Sequence, residues 1–287
     1  SQVILYHVPP SFYSQIARIV LCELGVDFDL KLAPPAPPTF DAYQPWYLKL
    51  NPMGTVPTMV HGETAVPDSD AIMRYAAENL STIDLFPQSS QERESMETWI
   101  AALRAISLRE LSYGTEKTRK TGARINKVRL KVLTHRREKH PEMADVYSAK
   151  IDDIRGFAER AVDPEVAAAN LAHVENKLDE LNTLLSRQPW IAGDNYSFAD
   201  AVWTVGVGRF IMLHLGPLEN RPALSDWYAR VKSRPSFAQA DVWEKFKPLT
   251  LLKAMATRYR VPLAGMVVSI AGLLWWYCGT CDPLPPV

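Results

Sequence analysis

This 287-residue chain lacks a net charge and lacks a disulfide framework. Lys plus Arg and Asp plus Glu stand at 32 each, so no global field draws it toward nucleic acid. Electrostatics alone therefore names no partner. Three cysteines, Cys22, Cys278 and Cys281, cannot staple a fold, and the opening apolar run of residues 3–6 is too short for the core of a secretory signal. The folded part is expected to face a reducing compartment. Cys278-Gly-Thr-Cys281 has redox or metal spacing, yet the short end behind it offers no further ligands. It reads as a disulfide of an oxidising lumen or as two ordinary thiols.

What is present is ordinary globular material, 47% hydrophobic and 22% charged, long enough for about two domains. Residues 3–6 read as a strand. Residues 11–25 follow with Ile16, Ile19, Val20 and Leu24 at helical spacing and a glycine stop at Gly25. Residues 26–32 form a second strand. Pro34-Pro-Ala-Pro-Pro38 must be a stiff loop, because prolines supply neither ladder nor helix donors. Residues 40–50 read as a short helix rich in aromatics.

The most informative stretch runs from Asn51-Pro-Met-Gly-Thr-Val-Pro57 through a turn at His61-Gly62 to a helix opening at Asp68-Ser69. A proline at the head of a strand gives up a ladder donor. With a cis peptide ahead of it, the neighbouring main chain faces outward, free to pair with an extended ligand. A helix start beside it offers unpaired N–H groups and a positive dipole end to a carboxylate. Together they make a cradle shaped for a peptide.

Beyond residue 91 strand patterns fade. Residues 91–111 carry Met96, Trp99, Ile100, Leu103, Ile106 and Leu111 on one face, and residues 164–187 carry Val166, Leu171, Val174, Leu178, Leu181 and Leu185. Ser197 and Asp200 have the spacing of a capping box ahead of a buried helix over residues 201–215.

These features resemble the cytosolic glutathione transferase superfamily. The resemblance implies an α/β thioredoxin-like N-terminal domain with a mixed four-stranded sheet, followed by an all-α C-terminal domain. It implies glutathione as co-substrate, with the Val56 backbone ahead of Pro57 pairing with its cysteinyl part and Asp68 and Ser69 holding its γ-glutamyl end. The donor that lowers the thiol pKa belongs in the first strand-to-helix turn. Counting back from Arg18, the position that holds serine in many transferases and cysteine in dehalogenases is Tyr13, with Ser11 and Ser14 as substitutes. Cysteine-dependent dehalogenation is therefore not expected. Thr55 stands where many relatives have lysine or glutamine for the glycyl carboxylate.

Tyr6-His-Val-Pro-Pro-Ser-Phe-Tyr-Ser-Gln-Ile-Ala-Arg18 and Pro45-Trp-Tyr-Leu-Lys-Leu-Asn51 look like the ganglioside-induced differentiation-associated protein 1 branch. Arg234-Pro-Ser-Phe237 is similar to the tetrachlorohydroquinone dehalogenase type. Both types have a long insertion between helices of the second domain. Here it is the charged segment 113–163, where residues 117–139 hold ten Lys or Arg against the one acid Glu138. Two readings are open: a basic arm for anionic lipid or an acidic partner, and a solvated helical insertion, which is favoured.

Residues 261–278 are eighteen without a charge, and a helix of that length reaches about 27 Å, enough to cross a hydrocarbon core. Lys253, Arg258 and Arg260 on one flank keep the folded domains on the cytosolic or equivalent side, with Trp275, Trp276 and Tyr277 as the belt at the exit. The alternative is a buried final helix. The resemblance favours a mitochondrial membrane. The expected layout is a glutathione-binding domain over 1–83, a helical domain over 84–250 and a linker, transmembrane helix and tail over 251–287. Two functions stand side by side. One is a membrane-anchored glutathione transferase conjugating or reducing a hydrophobic electrophile, with a homodimer and membrane-complex subunits both open as partners. The other is a non-catalytic adaptor or accessory subunit of an organelle-membrane complex.

Overall fold

Alternation along the first strand decides how the N-terminal sheet is faced. In the computed structural model, which describes residues 2–113 and 116–259, β1 (Val3–His7) turns Val3, Leu5 and His7 inward and leaves Ile4 and Tyr6 half-buried. After it come α1 (Phe12–Glu23), β2 (Asp29–Leu32), α2 (Pro45–Leu48), β3 (Thr58–His61), β4 (Thr64–Pro67) and α3 (Ser69–Asn79). The sheet order is β2-β1-β3-β4, with β1 parallel to β2 and antiparallel to β3. This is the mixed four-stranded sheet of a thioredoxin-like domain. Val3 and Leu5 join Ile16, Val20 and Ile72 in the main core, while Tyr6 packs on Trp46 and Tyr47 at centroid distances of 5.5 and 5.8 Å. Fully burying an aliphatic side chain of this size stabilises by about 1.5–3 kcal/mol, so the two faces of β1 each anchor a layer.

The segment read as one helix over 40–50 is two pieces, a 3-10 turn at Asp41–Tyr43 and the single turn of α2. Gln44 between them is extended at ψ 147°, because a residue ahead of proline is driven out of the helical region.

The second domain holds α4 (Ser90–Arg104), α5 (Leu108–Tyr113), α6 (Glu116–Lys139), α7 (Ala144–Ala161), α8 (Pro164–Leu185), α9 (Phe198–Met212), α10 (Pro222–Lys232), α11 (Pro235–Gln239) and α12 (Pro248–Tyr259). The periodicity of residues 91–111 predicts one helix, yet the chain breaks between α4 and α5. The Asn170 amide takes the place of helical partners at the break, accepting from Ser107 N–H at 3.0 Å and donating to Ser107 C=O at 2.8 Å. Helix α9 is mostly apolar and buried on every face from Phe198 to Phe210. Its capping box forms as expected, with Asp200 Oδ2 accepting from Ser197 N–H at 2.9 Å and Ser197 Oγ at 3.0 Å.

Segment 116–161 is a helical hairpin with an apolar seam, and that seam is docked. Leu133, Tyr147, Ile151 and Ile154 form a second core with Phe40, Tyr43, Tyr47 and Leu48. Some of its cations are structural. Arg136 donates to the carbonyls of Phe40 at 2.9 Å and Thr39 at 3.0 Å, and Arg129 to that of Pro35 at 3.0 Å. Backbone carbonyls of a proline-rich loop have few partners of their own, which is why arginine forks fit there.

The two domains are bolted together through α1. Buried Arg18 donates to Ala240 O at 2.6 Å, and to Pro9 O and Asp241 O at 3.2 Å. Glu23 takes both forks of Arg234, at 2.7 and 2.6 Å. Part of the stretch assigned to a linker folds as α12, whose Tyr259 hydroxyl meets Thr39 Oγ1 at 2.7 Å. The proposed membrane span over 261–278 and the Cys278/Cys281 pair lie outside the described residues. Among the described residues no helix is long and apolar enough to cross a membrane.

Candidate functional site

Two loops and one helix start converge at the end of β1. The first loop, Val8 to Ser11, turns the chain into α1, where Ser11 is the N-cap and its Oγ accepts from Ser14 N–H at 3.3 Å. Ser14 is fully buried and its Oγ accepts from Val8 N–H at 3.4 Å. Both serine oxygens thus serve the turn. Tyr13 is different: it is 39% exposed and stands edge-on to Phe12 at 5.1 Å. Desolvation raises its phenol above the ordinary value, followed by smaller opposed effects of Arg104 and Asp68, so it is a protonated donor at neutral pH. On the buried side of the turn, burial and then Arg18 push His7 down to about 3. It stays neutral opposite the Arg18 guanidinium, 3.1 Å from His7 Nδ1.

The second loop carries the Val56–Pro57 peptide, which is cis. No internal backbone hydrogen bond among the described residues involves the N–H or C=O of Val56. That main chain is available to a ligand. The loop is held from behind by Tyr47 and Asn51. Tyr47 Oη donates to Thr55 O at 2.6 Å, and Asn51 Nδ2 to Thr55 O at 3.0 Å and to Thr55 Oγ1 at 3.2 Å. Gly54 fits because φ is +58° and a Cβ there would stand 3.2 Å from Ala42 O. Thr55 is therefore committed to the loop.

Proximity of proline and helix start, the premise of the peptide cradle, is met directly: Asp68 N–H donates to Pro57 O at 3.3 Å. Asp68 caps α3 with φ 73°, its Oδ1 accepting from Asp70 N–H at 2.7 Å. Ser69 sits at the first position of α3, fully buried, and its Oγ has no partner among the described residues. Buried hydroxyls are normally paired, so an orphan at a helix N-terminus marks a place for an acceptor or donor from outside. Arg104, at the end of α4, reaches across to Asp68 Oδ1 at 3.5 Å and Asp70 Oδ1 at 3.4 Å.

Tyr13, Val56, Pro57, Asp68 and Ser69 therefore surround one junction, while Ser11 and Ser14 lie within the turn that aims Tyr13. Sequence reading missed Tyr47, Asn51 and Arg104. The first two are within the quoted motif, but hydrogen bonds to a carbonyl four to eight residues away carry no periodicity. Arg104 comes from another domain. A cleft of about 790 Å³ opens elsewhere, between β2 and α12, touching His7, Pro9 and Arg18 from below and walled by Trp46 and Leu30.

Comparison with known proteins bears on this geometry. Residues 10–79 match the family described as glutathione S-transferase, N-terminal domain, and residues 139–235 the one described as glutathione S-transferase, C-terminal domain. The chain is 32% identical over 247 residues to the tetrachloro-p-hydroquinone reductive dehalogenase of Sphingobium chlorophenolicum, covering 86% of this chain and 98% of that protein. It is 22% identical over 273 residues to ganglioside-induced differentiation-associated protein 1-like 1 of Homo sapiens, covering 82% and 72%. Among solved structures, the theta class glutathione S-transferase of Xanthomonas axonopodis pv. citri with glutathione bound superposes with a TM-score of 0.57 at 21% identity, covering 83% of this chain and 96% of that one.

Proposed function

This chain belongs to the glutathione S-transferase family, whose co-substrate is glutathione, and we propose that it transfers the glutathione thiol to, or reduces with it, a hydrophobic electrophile. The observation that carries this reading is the orphaned, buried Ser69 Oγ at the mouth of α3, one residue from a cap that is hydrogen-bonded to Pro57. Ser69 Oγ and the first N–H groups of α3 would hold the γ-glutamyl carboxylate, and the Val56 N–H and C=O the cysteinyl main chain. Glutathione supplies the nucleophilic sulfur. The Tyr13 hydroxyl donates a hydrogen bond to that sulfur and keeps its own proton, stabilising the thiolate left when the thiol proton passes to solvent, while Asn51 and Tyr47 keep the Val56 main chain in place.

Ser69→Ala separates this role from a structural one. In the free protein the hydroxyl has no partner among the described residues, so the melting temperature should stay level or rise. Titration calorimetry should then find glutathione bound about tenfold more weakly, the size of one charge-assisted hydrogen bond. Equal affinity in both proteins, or no binding at millimolar glutathione, removes the reading and favours the non-catalytic adaptor. Thr55 supports that second reading, because it stands where many relatives have lysine or glutamine for the glycyl carboxylate.

The proposal extends to a membrane anchor over residues 261–278, supported by their uncharged sequence behind Lys253, Arg258 and Arg260. The folded domains would stand on the cytosolic or equivalent side, at a mitochondrial membrane by resemblance, as a homodimer or beside subunits of a membrane complex. Alkaline carbonate extraction of the full chain should leave it in the membrane pellet and release a chain ending at residue 259. Release of both discards the anchor.

A further inference from the structure

Three arginines gather where α4, α5 and α9 meet the turn that carries Tyr13, and two of them face carboxylates. Arg104 faces Asp68 and Asp70 at 3.5 and 3.4 Å, and Arg109 faces Asp153 at 3.2 Å. Arg209, on α9, is the exception. It is 8% exposed, and among the described residues it meets no carboxylate. Its Nη2 donates to Pro10 O, its Nε is buried without an acceptor, and its guanidinium lies 5.8 Å from the Phe12 ring. Burial pulls its pKa down to about 10, with the Tyr113 phenol as the ionisable neighbour acting on it, so it remains charged at neutral pH. An interior cation without a counter-ion is costly, and holding one loop carbonyl needs no full charge.

The surroundings specify what would pair with it. Phe12, whose ring lies 5.8 Å from the guanidinium, stands edge to face with Tyr13 at 5.1 Å, and Tyr113, which acts on Arg209, packs on Phe157 at 6.2 Å. Aromatic neighbours of this kind suit a flat ring, and an arginine fork suits a carboxylate.

We propose that Arg209 makes the electrophile side of this site selective for aromatic substrates bearing a carboxylate. The assignment rests on the transferase reading above for its chemistry, and it defines which electrophiles are taken. The bound thiolate is the competing anion. Tyr13 is the donor facing it, however, and the ionisable groups acting on Tyr13 are Arg104, Asp68, Glu110 and Arg109.

The test compares dinitrobenzoate with dinitrobenzene, which share the dinitrophenyl ring and differ by the carboxylate, by quenching of tryptophan fluorescence in the full chain. Unaltered protein should bind the benzoate about tenfold more tightly, the worth of one charge-assisted pair. Arg209→Gln should bring the two within about twofold while leaving dinitrobenzene affinity unchanged. Arg209→Lys, which retains the charge and serves if the glutamine variant does not fold, should keep part of the preference. Equal binding of both probes by the unaltered protein overturns the assignment, as does a preference that survives Arg209→Gln. A Gln variant that keeps the preference but raises the titration point of bound glutathione thiol hands the charge to the thiolate and overturns it too. Glutathione calorimetry on the same samples distinguishes the outcomes: absent heat with an intact benzoate preference sinks the transferase reading and not the anion site.

Discussion

Asp200→Ala is expected to remove about 3–5 kcal/mol of stability, much of the 5–15 kcal/mol that holds a domain together. The carboxylate is fully buried beneath the start of α9. Its Oδ1 accepts from Ile191 N–H at 3.0 Å and Trp227 Nε1–H at 2.8 Å, and its Oδ2 from Ser197 N–H at 2.9 Å and Ser197 Oγ at 3.0 Å. One side chain thus joins the preceding loop, the cap and α10. Alanine strands four donors in a dry interior, each of which loses its acceptor without regaining water. Urea unfolding is the measurement, and a midpoint within experimental error of the parent would refute the network. There is also a pH signature. Burial pushes Asp200 up to about 6, against its four donors, whereas an unfolded aspartate titrates near ~3.9. The native state therefore holds that proton more tightly. This group's contribution is full below pH ~4 and declines as the pH climbs to about 6, a slope the alanine variant should lack.

Tyr13→Phe is expected to lower turnover of chlorodinitrobenzene by about a hundredfold while glutathione affinity stays within about twofold. The phenol is held in its protonated form, so the hydroxyl is a donor whose effect grows as charge accumulates on sulfur. Phenylalanine keeps the packing on Phe12 and deletes only that donor. In the variant, the bound thiol should titrate at higher pH, followed by ultraviolet absorbance of the thiolate. Undiminished turnover would move the donor to Ser11, whose hydroxyl hydrogen is not used by the cap. Ser11→Ala is then the decisive partner experiment, read against the cap it also weakens.

Much of the architecture was legible because it rests on short-range physics. Gly25 ends α1 at φ +64°, the hairpin turns on Gly62, and Ser197 with Asp200 starts α9, each a local preference written in a few residues. The approach of Pro57 to the start of α3 was legible for the same reason. Three features were not. The break between α4 and α5 is made by Asn170, 63 residues away. The insertion reads as solvated charge, yet Arg129 and Arg136 are drawn onto carbonyls of a loop nearly a hundred residues earlier. And Arg104, which faces Asp68, belongs to a helix whose periodicity speaks only of its apolar side. Periodicity reports which face is buried and is silent on what a polar side chain reaches.

The bolting of α1 to the far end of the second lobe limits how the molecule can be taken apart. Arg18, Gln15 and Glu23 belong to the first lobe by sequence, but Ala240, Trp243 and Arg234 complete them. A fragment ending after α3 would leave Gln15 without the Trp243 N–H, Glu23 without Arg234, and Arg18 with only Pro9 O and His7. Halves exchanged with another such protein would meet at mismatched sockets. Either lobe made alone would therefore expose polar groups that the other now satisfies.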